Sequence, residues 1–257
     1  MNWLNLIKAN TRKDYIELKR YLPNTIAMLV SFFIIFLAMF AGIQIIGDPG
    51  TKDVNTQFII VNYVFWYLAL IVVQDIGHQI ANEAIQGTLE QVNMSPLGLW
   101  KIMLARLVAA IFTNSIIVVI LLFAAMLVTG QWLNIDVISI LPILILTLIS
   151  MIGLGFIIAG MTLVLKQIGA LLQILQFILA GLVFIPLSVA PFLAFLPVVK
   201  GVDLVRAVMI DGLSILSFSP FDFFVLIFNA VFYFLLGLFF FLYCERVAMK
   251  KGLFAHY

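Results

Sequence analysis

Glu83-Ala84-Ile85-Gln86-Gly87-Thr88-Leu89-Glu90-Gln91-Val92-Asn93-Met94-Ser95-Pro96 is the one substantial polar stretch between two long apolar runs near the middle of this chain. Charged and amide groups moved into hydrocarbon lose their water without gaining partners, so such a stretch is costly inside a bilayer. It is therefore read as lying in water or against another protein, and the apolar runs on either side as crossing a membrane.

Composition agrees with that division. Of 257 residues, 65% are hydrophobic and 10% charged, against roughly 45–50% and about 25% in soluble domains. A hydrocarbon core of about 30 Å takes about 20 apolar residues in a helix. Six stretches meet this need, at 26–46, 57–80, 97–128, 137–165, 168–187 and 222–243. Backbone cannot be left open in lipid, and long continuous apolar runs do not alternate as barrel strands do. The expected fold is an all-α integral membrane domain of six transmembrane helices, forming one unit over residues 1–257.

Positive charge orients it. With both ends on one side, that side collects Lys8, Arg12, Lys13, Lys19, Arg20, Lys101, Arg106, Lys166, Arg246, Lys250 and Lys251, leaving only Lys52, Lys200 and Arg206 opposite. By the positive-inside rule both termini are cytoplasmic, and a multi-pass protein of a bacterial plasma membrane is expected. The net charge of +2 is then topological, and no nucleic-acid partner is expected. The single Cys244 excludes an internal disulfide framework. The first span, preceded by a 25-residue segment, is too long for the core of a cleavable signal.

Residues 1–25 mix Trp3, Leu4, Ile7, Ile16, Leu18 and Tyr21 with Lys8, Arg12, Lys13, Lys19 and Arg20. This pattern predicts an amphipathic interfacial helix on the inner leaflet, ended by Pro23-Asn24; the alternative is a basic leader without fixed structure. Asp48-Pro49-Gly50 and Thr129-Gly130-Gln131-Trp132 carry turn chemistry at the outer surface, with Trp132 an interfacial anchor. Pro186, Pro191 and Pro197 punctuate an apolar segment before the sixth span, and Lys200, Asp203 and Arg206 follow. A re-entrant helical hairpin over 188–212 reconciles that apolarity with the charge rule, as backbone at such depth must be covered by protein or face water. Asp203 and Arg206 have the spacing to pair on one helix face, although an exposed pair of this kind contributes little.

Within the polar stretch, Thr88 and Gln91 have capping-box spacing, so a short helix over 87–95 is expected just after Gly87. Ser95-Pro96 would cap and open the third span, with Pro96 at the first helical position. Leu89 and Val92 would form a small apolar ridge flanked by Glu90, suited to a shallow groove on a partner. An ordinary capped loop is the bland alternative.

The run Glu83-x-x-x-Gly87-Thr88-Leu89-Glu90-Gln91-x-x-x-Ser95-Pro96 resembles the signature of the type-2 ATP-binding-cassette (ABC) exporter permeases. In that family it contains the coupling helix, which sits in a cleft of the ATPase subunit. The wider layout is similar too: amphipathic connecting helix, six spans, Pro-rich re-entrant hairpin and short basic tail. Many relatives carry more charge just before the glycine, where this chain has Asn82, Ala84, Ile85 and Gln86. The resemblance implies that Glu83, Gly87, Thr88, Leu89, Glu90 and Pro96 couple the chain to an ABC ATPase subunit present in two copies. It also implies a second permease chain, either an identical copy or a paralogue. No Gly-x-x-x-x-Gly-Lys-Ser/Thr phosphate loop occurs here. The chain is therefore expected to be non-catalytic and to bind no cofactor, with ATP and Mg on the partner. The implied function is export of a hydrophobic or amphipathic cargo such as a drug, antimicrobial peptide or lipid.

Polar residues inside spans are candidates for a translocation path: Asn62 and Trp66 in the second, Asn114 in the third, Gln173 and Gln176 in the fifth. Lys166, Gly169, Gln173, Gln176 and Ala180 form one stripe, which would line a dimer cavity or join neighbouring helices. Gly153, Ala159 and Gly160 fit close helix packing. Two rival classes are weighed. An ion-coupled carrier or channel would place charge near mid-bilayer, where these spans hold none. An intramembrane enzyme would use Asp75, His78 and Glu83, but the only other histidine is His256 and no metal is expected.

Overall fold

The computed structural model describes residues 3–46, 50–165 and 168–252; Asp48, Pro49, Lys166 and His256 lie outside the described residues. The described residues form helices and no strand. In order these are α1 (Trp3–Arg20), α2 (Leu22–Ile46), α3 (Lys52–Ile85), α4 (Leu89–Asn93), α5 (Leu99–Thr129), α6 (Val137–Leu165), α7 (Gly169–Phe184), α8 (Val199–Met209) and α9 (Pro220–Lys250). Five of them, α2, α3, α5, α6 and α9, are long and apolar enough to cross a membrane. The chain is a helical multi-pass membrane protein.

α7 departs from the six equal spans expected. Its 16 residues rise about 24 Å at 1.5 Å each, short of a hydrocarbon core of about 30 Å. The physical reason is Pro186: it disfavours helical backbone at Ile185, which is extended, so the helix stops at Phe184 rather than 187. Other boundaries shift for similarly local reasons. Pro23 stands in the first turn of α2, where its missing N–H costs nothing, so α2 begins at Leu22 rather than after Pro23-Asn24. α9 begins at Pro220 because Ser219 and Asp222 form a reciprocal capping box.

α3 is the central helix, with most of its apolar length buried. α2 packs on it through Phe36 against Tyr63 and Phe32 against Tyr67. α7 runs antiparallel to it: the Trp66 indole N–H donates to the Gln176 carbonyl and the Gln74 amide to the Leu172 carbonyl, each at 3.2 Å. On another side α6 runs parallel to α3, Gly155 meeting the Val72 carbonyl and Ile158 meeting Gly77. α6 and α9 also run parallel, and there the backbones touch. A Cβ on Gly153 would fall 2.1 Å from the Tyr233 carbonyl oxygen, and one on Gly237 would fall 1.9 Å from the Gly153 oxygen. Small residues let helices in lipid approach this closely, where van der Waals packing rather than water exclusion holds them. α6 and α9 point the same way, and α7, antiparallel to α3, lies between them in the chain.

Two ends of the bundle result. One gathers α4, the start of α5, and the C-termini of α6 and α9, with Trp3 of α1 donating to the Lys101 carbonyl at 3.5 Å. The other gathers the end of α2, the start of α3, the α5–α6 connection and the segment between α7 and α9. That segment is a 3-10 turn (Pro191–Phe195) followed by α8, which packs against α6 with Gly201 on Thr147. Asn134 ties it down, its backbone N–H donating to the Met209 carbonyl at 2.9 Å. Val198, a β-branched residue with φ +77, turns the chain into α8. This costly conformation is held in place by near-complete burial.

Candidate functional site

The polar stretch forms a corner between α3 and α5, and two glycines make it possible. Gly87 (φ +70) reverses the chain after α3, and Gly98 (φ +76) turns it into α5; both angles suit a residue without Cβ. Between them stands α4, only five residues long. Pro96 is not the first residue of the following helix. Ser95 to Gly98 form a tight turn, closed by the Gly98 N–H on the Ser95 carbonyl at 3.0 Å, and α5 starts at Leu99.

Glu83 braces this corner. One carboxylate oxygen accepts from Arg106 of α5 at 2.6 Å and the other accepts a short hydrogen bond from the Thr88 hydroxyl. The Thr88 hydroxyl also reaches the Glu83 carbonyl at 3.2 Å. The capping box expected between Thr88 and Gln91 is thus not formed, and the Thr88 side chain makes no cap bond to α4. The Thr88 hydroxyl instead donates to the Glu83 carboxylate, a charge-assisted bond stronger than one to a neutral acceptor.

The expected apolar ridge is also turned over. Leu89 is 2% exposed and joins the core, and Val92 packs half-buried beside it. The residues that face outward are Ile85 (75% exposed) and Met94 (78%), with Glu90, Gln91 and Pro96. The corner therefore presents two large apolar side chains around one carboxylate.

Behind it lies a cavity of about 480 Å³ between α1, the start of α2, α3 and α5. Most of the residues lining it are polar, Leu18 and Ala110 being the aliphatic exceptions, although the stems of the polar side chains also contribute apolar wall. Asn10, Lys13, Asp14 and Glu17 come from α1, Asp75, Gln79, Asn82 and Glu83 from α3, and Arg106, Thr113 and Asn114 from α5. Burial pushes the Asp14 carboxyl above its ordinary range, a rise that the neighbouring Lys13 ammonium partly offsets. No sequence signal pointed to this cavity, because its walls come from four separate segments.

The candidate path residues do not share one cavity. Trp66 and Gln176 touch. Asn62 is fully buried, with both amide atoms unpartnered. Asn114 donates to the Ala110 carbonyl of its own helix at 2.9 Å and faces the cavity behind the corner, while Gln173 is exposed on α7. At the opposite end Asp203 pairs with Lys200 (3.7 Å) rather than Arg206, and Lys200 also reaches Asp222 at 2.7 Å. Arg206 instead lies over the Phe58 ring at 4.5 Å. Asp75 accepts from the Gln79 amide at 2.6 Å. No set of three His, Cys, Asp or Glu able to hold a metal ion occurs among the described residues.

No family model matches this chain, and no curated protein matches it.

Proposed function

We propose that this chain is the membrane subunit of an ATP-driven exporter of the type-2 ABC kind, gripped at the α3–α5 corner by a separate ATPase. The observation that carries the reading is the corner itself. Glu83, Arg106 and Thr88 tie α3, α5 and the start of α4 together, and the corner offers Ile85, Met94 and Glu90 to an outside partner. A push on those side chains would reach α3 and α5 together. α3 is the central helix, so the bundle would move with it.

Six crossings are supported by the parallel course of α6 and α9, with α7 as the return between them. Ile168 and Ile185 flank α7 with further apolar surface, although neither is helical. The described basic residues of α1, Lys101, Arg106 and the C-terminal end of α9 share the α4 end, which supports a cytoplasmic corner and cytoplasmic termini. A dimer of such chains, identical or paralogous, would carry two ATPases holding ATP and Mg. The cargo would pass between the two chains, and the apolar span faces favour a hydrophobic or amphipathic one. Coupling would be reciprocal: a cargo that prefers one state of the bundle also changes nucleotide affinity.

A cysteine at Gln91 in a Cys244→Ser background tests this. A membrane-impermeant maleimide should label it in inside-out vesicles and not in intact cells, and labelling should suppress ATP hydrolysis of the co-purified complex. Labelling from outside, or hydrolysis that is indifferent to it, would overturn the reading.

A further inference from the structure

The cavity behind the corner has more acceptors than donors. Four carboxylates, those of Asp14, Glu17, Asp75 and Glu83, face it against two cations. Both cations are engaged: Arg106 with Glu83 at 2.6 Å and Lys13 with Glu17 at 3.6 Å. Asp14 and Asp75 form no ion pair among the described residues. The Gln79 amide spends its N–H on Asp75, which leaves its own oxygen buried without a donor. An acceptor shut away from water without a donor costs about as much as a lost hydrogen bond, and four carboxylates against Lys13 and Arg106 leave the cavity with an excess of negative charge.

What completes such a site is a positively charged donor. The acidic groups are not grouped as metal ligands, which favours an organic cation over a divalent ion. Among the described residues that line it Tyr21 is the only aromatic one, and these form no cage of ring faces of the kind that holds quaternary ammonium. Carboxylates and amide oxygens bind N–H instead. The volume, about 480 Å³, lies in the range of small-ligand sites. α1 also turns Asn10 and Asp14 toward the bundle while Leu4, Tyr15 and Ile16 are exposed, as though the helix were arranged around a polar occupant.

We propose that this cavity binds a primary ammonium group, with Asp14, Asp75 and the Gln79 oxygen as its acceptors. The group would arrive either on a soluble amine or as the headgroup of an aminophospholipid, since the same chemistry recognises both. The raised pKa of Asp14 agrees with this, because a bound cation would restore its ionised form. The site does not depend on the docking of an ATPase at α4, and the experiment needs none.

The full-length chain is placed in nanodiscs of phosphatidylcholine, and thermal unfolding is followed against ethanolamine and against choline at constant ionic strength. A second arm replaces part of the phosphatidylcholine with phosphatidylethanolamine. The expected result is protection by ethanolamine but not choline, by phosphatidylethanolamine, or by both; the arm that protects names the source. Asp75→Asn and Asp14→Asn should each weaken the protection by roughly tenfold, the scale of one charge-assisted hydrogen bond. Equal protection by choline and ethanolamine, or none in either arm, overturns the site without reference to any variant. Protection unchanged in both folded variants overturns it as well.

Discussion

Arg106 on α5 holds the Glu83 carboxylate at the end of α3 at 2.6 Å, and the Thr88 hydroxyl closes on the same carboxylate from the start of α4. Three helices thus meet on one side chain. Both members of the ion pair are mostly shielded, at 24% and 17% side-chain exposure. Removing one leaves the other charge half-buried without a partner. Arg106→Ala should cost about 1–3 kcal/mol of stability, below the figure for a fully buried pair. Thermal unfolding in detergent measures it, and the swap Glu83→Arg with Arg106→Glu should recover part of the loss.

The contact of α6 with α9 leaves no room for a methyl group at Gly153 or Gly237. Gly237→Ala should therefore force the helices apart and lower the yield of folded protein sharply. Gly181→Ala on α7 meets nothing within 4 Å and should be neutral or stabilise by roughly 0.5–1 kcal/mol through helix propensity. Size-exclusion profiles of the two variants, side by side, check the contrast.

Substitutions on α4 should divide by face. Leu89→Glu buries a carboxylate in the bundle and should cost several kcal/mol, seen as loss of folded protein. Met94→Glu and Glu90→Arg alter only the exposed surface and should leave unfolding within about 0.5 kcal/mol of the parent, while weakening ATPase association. Gly87→Pro should likewise spare insertion but distort the corner. Co-purification of ATPase with each variant, at matched expression, is the measurement.

Asp14 sets a pH dependence of known sign. Its folded-state pKa is raised above the ordinary 3.8 by burial, so the folded chain favours the protonated acid more than the unfolded chain does. Stability from this group is complete below the ordinary pKa and is lost as pH rises through the raised value. In the absence of amine, Asp14→Asn should match the parent in strong acid and exceed it at neutral pH. Unfolding temperatures across that window give the difference.

Much of this fold was legible because continuous apolar runs leave a chain little choice but to be helical in lipid. The corner was legible as well, since Gly87 and a polar run between such helices mark a turn. Which face of α4 looks outward was not. A five-residue helix has too little periodicity to declare an inward side, and that side is chosen by where α3 and α5 converge. The partner of Thr88 was misread for a related reason: spacing picked out Gln91, whereas Glu83 is nearer in space and charged. The length of α7 depended on Pro186 acting on Ile185, a local rule that an apolar run conceals. The polar cavity required contacts between segments nearly 100 residues apart in sequence, and no pattern within one segment carries that information.

The central claim is that an ATPase sits on the exposed side of α4, and a photo-crosslinking residue at Met94 tests it most directly. Irradiated in cells, it should join this chain to a polypeptide bearing a Gly-x-x-x-x-Gly-Lys-Ser/Thr phosphate loop, whereas the same residue at exposed Leu216, at the other end of the bundle, should not. If position 94 captures no such protein while the chain is folded and inserted, the account is contradicted.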